Sequence, residues 1–124
     1  AGAYALVMGI FAHQRLNGDP MTIRGDGEQK RDFTYVGDVV NANILASQSN
    51  NVGKGEVINI GNGDNRSINQ IAEMIGGETV HVEPVVEPKE TLADNSLAQK
   101  LLGWKPTQKI EDWVPFYKKE IGLD

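Results

Sequence analysis

The sequence predicts an α/β chain, a small mixed lobe of about five helices and short strands. Two patterns carry that expectation. Apolar residues recur at three- and four-residue intervals over several stretches of helical length, while shorter runs alternate or stay apolar as strands do. Gly, Asn and Pro punctuate the boundaries between them. The 124 residues, 40% hydrophobic and 23% charged, have the size and mixture of one globular domain, so residues 1–124 are expected to form a single domain.

Tyr4, Leu6, Val7, Ile10, Phe11 and Leu16 keep helical spacing, and Asn17-Gly18 supplies the stop. Asp19-Pro20 then turns the chain into a short strand over Met21–Arg24, and Gly25-Asp26-Gly27 forms a turn. Residues 31–36 alternate, with Arg31, Phe33 and Tyr35 on one strand face. Asp38 opens a second helix carrying Val39, Val40, Ala42, Ile44 and Leu45, where its charge suits the helix N-terminus. After the turn Gly53–Gly55, Val57-Ile58-Asn59-Ile60 is expected as a buried strand.

Ser67 and Gln70 have the spacing of a capping box for a third helix, whose apolar side is Ile68, Ile71, Met74 and Ile75 and whose end is Gly76-Gly77. Thr79–Glu83 alternates as a strand, and Pro84–Pro88 must be extended. Asp94 or Asn95 caps a fourth helix that ends at Gly103, and Trp104 and Pro106 form a connector. The last helix starts near Lys109 and presents Ile110, Trp113, Val114, Phe116, Tyr117 and Ile121.

Composition removes several function classes. With no cysteine, disulfide scaffolds, thiolate metal sites and Cys nucleophiles are excluded. A net charge of −5 without a basic stripe argues against nucleic acid as a partner. No apolar run reaches the roughly 18–20 residues that span a bilayer, and no signal-like segment opens the chain, so a cytoplasmic setting without membrane contact is expected. All four arginines lie at or before Arg66, which makes the first half the side on which an anionic ligand is expected. The chain begins Ala1-Gly2-Ala3-Tyr4 and runs straight into a helical pattern, which reads as entry into the middle of a larger protein.

Catalytic constellations are sparse. Three Gly-x-Gly pairs occur, at Gly25/Gly27, Gly53/Gly55 and Gly61/Gly63, and none has the third glycine of a dinucleotide fingerprint. Only Gly61-Asn62-Gly63 follows an expected strand and precedes a helix, as a phosphate cradle requires; a plain tight turn fits it as well. No serine has a nucleophile-elbow context, His13 has no second ligand at helical spacing, and His81-x-Glu83 stands alone as a metal pair. Asp26, Glu28, Asp32 and Asp38 interleave with Lys30 and Arg31, the pattern of turn formers, a helix cap and ion-pair partners. Arg31 stands out: beside a glycine turn and aromatic neighbours, its planar fork would suit a diphosphate. A surface ion pair with Asp32 or Glu28 is the alternative.

The stretch from Gly25 to Ala42, Gly-Asp-Gly-Glu-Gln-Lys-Arg-Asp-Phe-Thr-Tyr-Val-Gly-Asp-Val-Val-Asn-Ala, resembles a signature of nucleotide-sugar epimerases and dehydratases, extended members of the short-chain dehydrogenase/reductase superfamily. Gly18–Ile23, Asn59–Gly63 with Ser67, Thr91–Ser96 and Leu101–Pro106 match the same family in the same order. The resemblance implies the C-terminal, substrate-binding lobe of a Rossmann-type enzyme, with the Rossmann lobe, its NAD loop and its Tyr-x-x-x-Lys pair lying elsewhere. No tyrosine of this chain (Tyr4, Tyr35, Tyr117) has a lysine four residues on.

Carried over by position, Arg31 looks like the arginine that contacts the diphosphate, and Glu87 like the acid that bonds ribose hydroxyls. Thr22, Ile23 and Arg24 match the strand that holds the base, and Ala5–Val7 loosely matches a helix start that approaches the diphosphate. The family's second arginine clamp is missing. Either another cation replaces it, Arg24 or Lys89 among the candidates, or the ligand is held differently. A nucleotide sugar such as a UDP-sugar is the implied partner, with NAD the cofactor of the full-length family and none bound by this chain. The complete enzyme would be an NAD-dependent epimerase or dehydratase, and this chain alone inactive. The alternatives are a stand-alone sugar-nucleotide-binding module and an inactive remnant that self-associates, the latter through an uncovered apolar face around Leu6, Ile10 and Phe11.

Overall fold

The computed structural model describes residues 6–123; Tyr4 and Ala5, placed above in the first helix, lie outside the described residues. Five helices and four short strands are present among them: α1 (Val7–Leu16), β1 (Met21–Arg24), β2 (Lys30–Arg31), α2 (Val36–Gln48), β3 (Arg66–Ser67), α3 (Ile68–Ile75), β4 (Thr79–Val82), α4 (Ser96–Leu102) and α5 (Ile110–Ile121). The fold is the mixed α/β expected. The chain divides into two compact units, one holding residues up to Arg31 with 66–90 and 111 onward, the other Asp32–Asn65 with Thr91–Ile110.

The first unit contains every strand found among the described residues. β1 and β4 pair in parallel with Met21 opposite Thr79 and Arg24 opposite Val82, and β2 pairs antiparallel with β3. Its buried side chains include Phe11 and Ala12 of α1, Met21 and Ile23 of β1, Ile68, Ile71, Ala72 and Ile75 of α3, and Val114 of α5. Helix α3 forms for the local reason read in the sequence. The Gln70 N–H donates to Ser67 Oγ at 3.1 Å and the Ser67 N–H donates to the Gln70 side-chain oxygen at 2.7 Å, so two otherwise orphaned amide groups are satisfied. Met74, assigned to the apolar side, is only half-buried. Phe11 is fully buried, so the uncovered face expected around Leu6, Ile10 and Phe11 does not include it; Leu6 is exposed and Ile10 half-buried. In α5 the rings of Trp113 and Tyr117 stack with centroids 4.6 Å apart, whereas Phe116 faces outward.

The second unit is built on α2 and α4. Ala42, Ala98 and Trp104 form its buried centre, with Leu45, Ile58, Ile60 and Leu102 packed on them. The Trp104 indole N–H donates to the Asp38 carbonyl at 2.8 Å, which satisfies a buried polar group that would otherwise cost stability.

Two expected strands are corrected. Residues 31–36 do not form one: only Lys30 and Arg31 are paired, and α2 begins at Val36. The Asp32 N–H donates to the Thr91 hydroxyl at 3.1 Å, so a side chain takes the backbone group a ladder would use. Nor is Val57–Ile60 a strand or fully buried. Ile58 and Ile60 pack inward, but Val57 is 83% exposed and no strand pairs with the segment among the described residues. Asp38 is the third helical residue of α2 rather than its cap, and it is buried.

Candidate functional site

The turn before β2 depends on glycine. Gly27 has φ 76°, and the Asn69 side chain lies where a β-carbon would project. Asn69 fixes the turn from three sides: its N–H donates to the Gly27 carbonyl at 3.0 Å, and its side-chain amide donates to the Asp26 carbonyl and to Glu28 Oε1. Strand β2 leaves this turn and is held on its other flank by the Lys30 N–H, which donates to the Lys89 carbonyl at 2.9 Å. The Lys30 backbone also forms an isolated parallel β-bridge with that of Glu90.

Arg31 therefore projects from an anchored backbone. Its Nη2 donates to Glu87 Oε1 at 2.5 Å and its Nη1 to the Lys30 carbonyl at 2.7 Å. The two side chains are 22% and 28% exposed, a half-buried pair in contact with solvent. Glu87 stands 56 residues away in sequence, on the extended segment between Pro84 and Pro88, and it is Arg31's partner in place of Asp32 or Glu28. A groove of about 350 Å³ lies alongside, lined by Arg24, Gly25, Asp26, Gln29, Glu87 and Lys89 together with the two prolines and Val85.

The remaining residues read from the sequence separate. Arg24 lines this groove, and its Nη1 makes only a long 3.5 Å contact to the Glu83 carbonyl. Ile23 is 2% exposed and belongs to the core, and its backbone faces β4 in the parallel ladder. Thr22 is tied on both ends by Gln14: its N–H donates to the Gln14 oxygen at 3.0 Å, and its hydroxyl accepts from the Gln14 nitrogen at 2.9 Å. Neither lines the groove. Lys89 does, immediately after Pro88, where the sequence offers it only as one candidate to replace the missing arginine.

The second unit holds a carboxylate of another kind. Asp32 accepts the N–H groups of Asn62, Gly63 and Ala93, each at 3.0 Å, and stands at a second groove of about 450 Å³ with Thr34, Gly61, Thr91 and Asp94. The amides of Gly61-Asn62-Gly63 thus already face an anion, the chain's own. The Gly53-Lys54-Gly55 turn is filled in the same way, with the Gly53 and Lys54 N–H groups donating to Glu56 at 3.1 and 2.6 Å. These loops do not fit the pyrophosphate of NAD, because a phosphate needs the same donors. Asp38 accepts the Thr107 N–H at 2.8 Å and its hydroxyl at 2.6 Å. Asp94, fully exposed, is held below its ordinary 3.8 by the Ser96 hydroxyl and then by the Ser96 N–H. His81, the metal candidate, instead contacts the Gly25 carbonyl through Nδ1 at 2.7 Å.

Comparison with known proteins gives a consistent picture. The profile of the NAD dependent epimerase/dehydratase family matches residues 3–61. UDP-glucuronic acid decarboxylase 1 of Xenopus tropicalis is 34% identical over 126 residues, covering 93% of this chain and 29% of that protein. A putative UDP-glucose 4-epimerase of Methanocaldococcus jannaschii is 32% identical over 114 residues, 87% of this chain and 36% of its own length. Among solved structures, UDP-glucuronic acid 4-epimerase from Bacillus cereus, in complex with UDP-glucuronic acid and NAD, superposes with a TM-score of 0.83 at 32% identity, over 94% of this chain and 40% of that one. UDP-glucose 4-epimerase from Thermotoga maritima, with UDP-glucose, gives 0.79 at 35% identity over the same shares. The chain therefore spans about a third of the length of these curated relatives and two fifths of the solved ones. By sequence and fold together, the chain matches the NAD dependent epimerase/dehydratase family, and the solved structures it resembles are UDP-sugar epimerases.

Proposed function

We propose that residues 1–124 act as the substrate-binding domain of a nucleotide-sugar epimerase or dehydratase and grip the nucleoside diphosphate of a UDP-sugar. The observation that carries this is the Arg31–Glu87 pair beside a groove that Glu87 lines together with Arg24, Asp26 and Lys89. Arg31 offers a planar fork to phosphate oxygens, and Glu87, released from it, is a carboxylate acceptor for ribose hydroxyls. Arg24 and the Thr22 carbonyl, on the strand edge turned away from β4, would frame the base. The N–H groups of Met21 and Gly25 donate toward β4, so strand alternation directs the Arg24 N–H to the opposite edge.

Gripping the handle of the substrate contributes by orientation, which can supply a large share of a catalytic barrier without bond chemistry. The redox step belongs to NAD and a Tyr/Lys pair; no fitting phosphate loop lies among the described residues, and no tyrosine of the sequence has a lysine four residues on. Purified chain mixed with UDP-glucose and NAD is expected to show no turnover. A cytoplasmic setting fits an acidic chain without cysteines. Self-association fits α2, which exposes Val36, Val40 and Ile44 at four-residue spacing; light scattering should then find dimers or larger.

Calorimetric titration with UDP-glucose and UDP-glucuronic acid tests the binding role. Measurable affinity that falls ten- to a hundredfold in Arg31→Ala supports it, on the scale of one charge-assisted hydrogen bond. No heat of binding from either ligand would overturn it.

A further inference from the structure

Strand β4 is paired on one edge only among the described residues. The Met21 N–H donates to the Glu78 carbonyl and the Gly25 N–H to the Val82 carbonyl, so the main-chain groups of Glu78, Val80 and Val82 are the ones turned to β1. Those of Thr79 and His81 point to the other edge, where no described residue takes them up. Thr79, Val80 and His81 are exposed, and the His81 ring leans toward β1, with Nδ1 at 2.7 Å from the Gly25 carbonyl. Thr79 and His81 share the face of their register partners Met21 and Ile23, which are buried. The cover over β1 thus stops short of β4. A cavity of about 330 Å³ lies there between Thr79 and α3, lined by Ile23, Asn69, Ala72, Glu73, Gly76 and Gly77.

An open edge with a cavity beside it has room for one more strand, and charge decides whose. The strand Thr-Val-His-Val is mostly β-branched and carries no formal charge, which favours pairing, while Glu78 and Glu83 bracket it. Their carboxylates, like that of Glu73, have no ion pair or hydrogen bond among the described residues. The nearby arginines are turned onto backbone instead: Arg15 donates to the Gly76 carbonyl, and Arg24 contacts the Glu83 carbonyl at 3.5 Å. Two copies of β4 paired antiparallel about His81 would set Glu78 of one beside Glu83 of the other, like charges that oppose the pairing. We propose that the outer edge of β4 is a strand-addition site for an extended segment of a partner protein, β-branched in the middle and flanked by Lys or Arg. Main-chain hydrogen bonds to Thr79 and His81 supply the affinity, and the flanking cations select the segment by meeting Glu78 and Glu83.

Two end-capped peptides serve as probes, Lys-Thr-Val-Thr-Val-Thr-Lys and the same peptide with glutamate in place of both lysines. Each is titrated into the ¹⁵N-labelled wild-type chain, into Thr79→Pro, and into a variant carrying Glu78→Lys with Glu83→Lys. Proline is tolerated at the first position of a strand, and here it removes an outward N–H without costing β4 a bond to β1. The lysine peptide is expected to shift the amides of residues 77–83, to slow exchange of the His81 amide, and to bind about tenfold more tightly than the glutamate peptide. That preference should invert in the charge-reversed variant, and Thr79→Pro should weaken the lysine peptide about tenfold. No binding of the lysine peptide at millimolar concentration, equal binding of the two peptides, or shifts away from β4 would overturn the proposal. A wild-type dimer that Thr79→Pro dissociates would also overturn it, since the edge would then belong to a second copy of the chain.

Discussion

Arg31 and Asp32 are adjacent in sequence and oppositely used. Arg31, in the first compact unit, has a single carboxylate partner, stays in contact with solvent and is paired with a groove-lining residue, Glu87. Asp32, in the second, is enclosed by three backbone N–H groups and holds two loops together. The second unit repeats the pattern at Asp38, where both carboxylate oxygens are taken by Thr107. A charge that satisfies backbone donors is part of the fold, and replacing it leaves those donors orphaned. A charge paired with one mobile side chain can exchange that partner for a ligand. The binding role proposed above therefore rests on the first unit, and the carboxylates of the second are a matter of stability.

The largest effect should come from the second unit. Asp32→Ala removes the acceptor for three N–H groups and is expected to cost about 3 kcal/mol, read as a lower urea midpoint with an unchanged slope. If the melt barely moves, the distinction between fold-bound and available charge fails at its clearest point. Arg31→Ala should do the opposite. Its stability change should stay below about 1 kcal/mol, as for other solvent-screened pairs, while UDP affinity falls at least tenfold. A comparable loss of stability and of binding would make Arg31 a structural residue.

Glu87→Gln sharpens the same contrast on a smaller scale. It frees Arg31 from a competing anion, so pyrophosphate should bind about threefold more tightly while melting stays nearly unchanged. Equal pyrophosphate affinity would mean that Glu87 does not compete for the guanidinium. The smallest effect concerns Asp94. Because its folded pKa is depressed, its contribution to the start of α4 is present above the ordinary carboxylate range and disappears as pH falls through the lowered value. Ser96→Ala should move the Asp94 titration, followed by NMR, upward toward 3.8.

What could be read from sequence follows from where each signal resides. Helix α3 was legible because Ser67, Gln70 and Gly76 act within a few residues of one another, and the same holds for the Gly18 and Gly103 stops. Residues 31–36 and 57–60 were not, because extended backbone becomes a strand only with a partner. The Thr91 hydroxyl takes the Asp32 N–H instead, and Val57 is left outward. Arg31 was singled out by its turn and its fork. Its partner Glu87 came only through family resemblance, since no periodicity links positions 56 residues apart. The three donors gathered by Asp32 are likewise a tertiary fact, absent from any local pattern.

The most direct measurement is a titration of UDP into the ¹⁵N-labelled chain followed by two-dimensional NMR. Binding at the Arg31–Glu87 groove predicts amide shifts concentrated at residues 21–31 and 83–90, with Asn62, Gly63 and Ala93 still. Shifts centred on the loops around Asp32, or no shifts at millimolar UDP, would contradict the account.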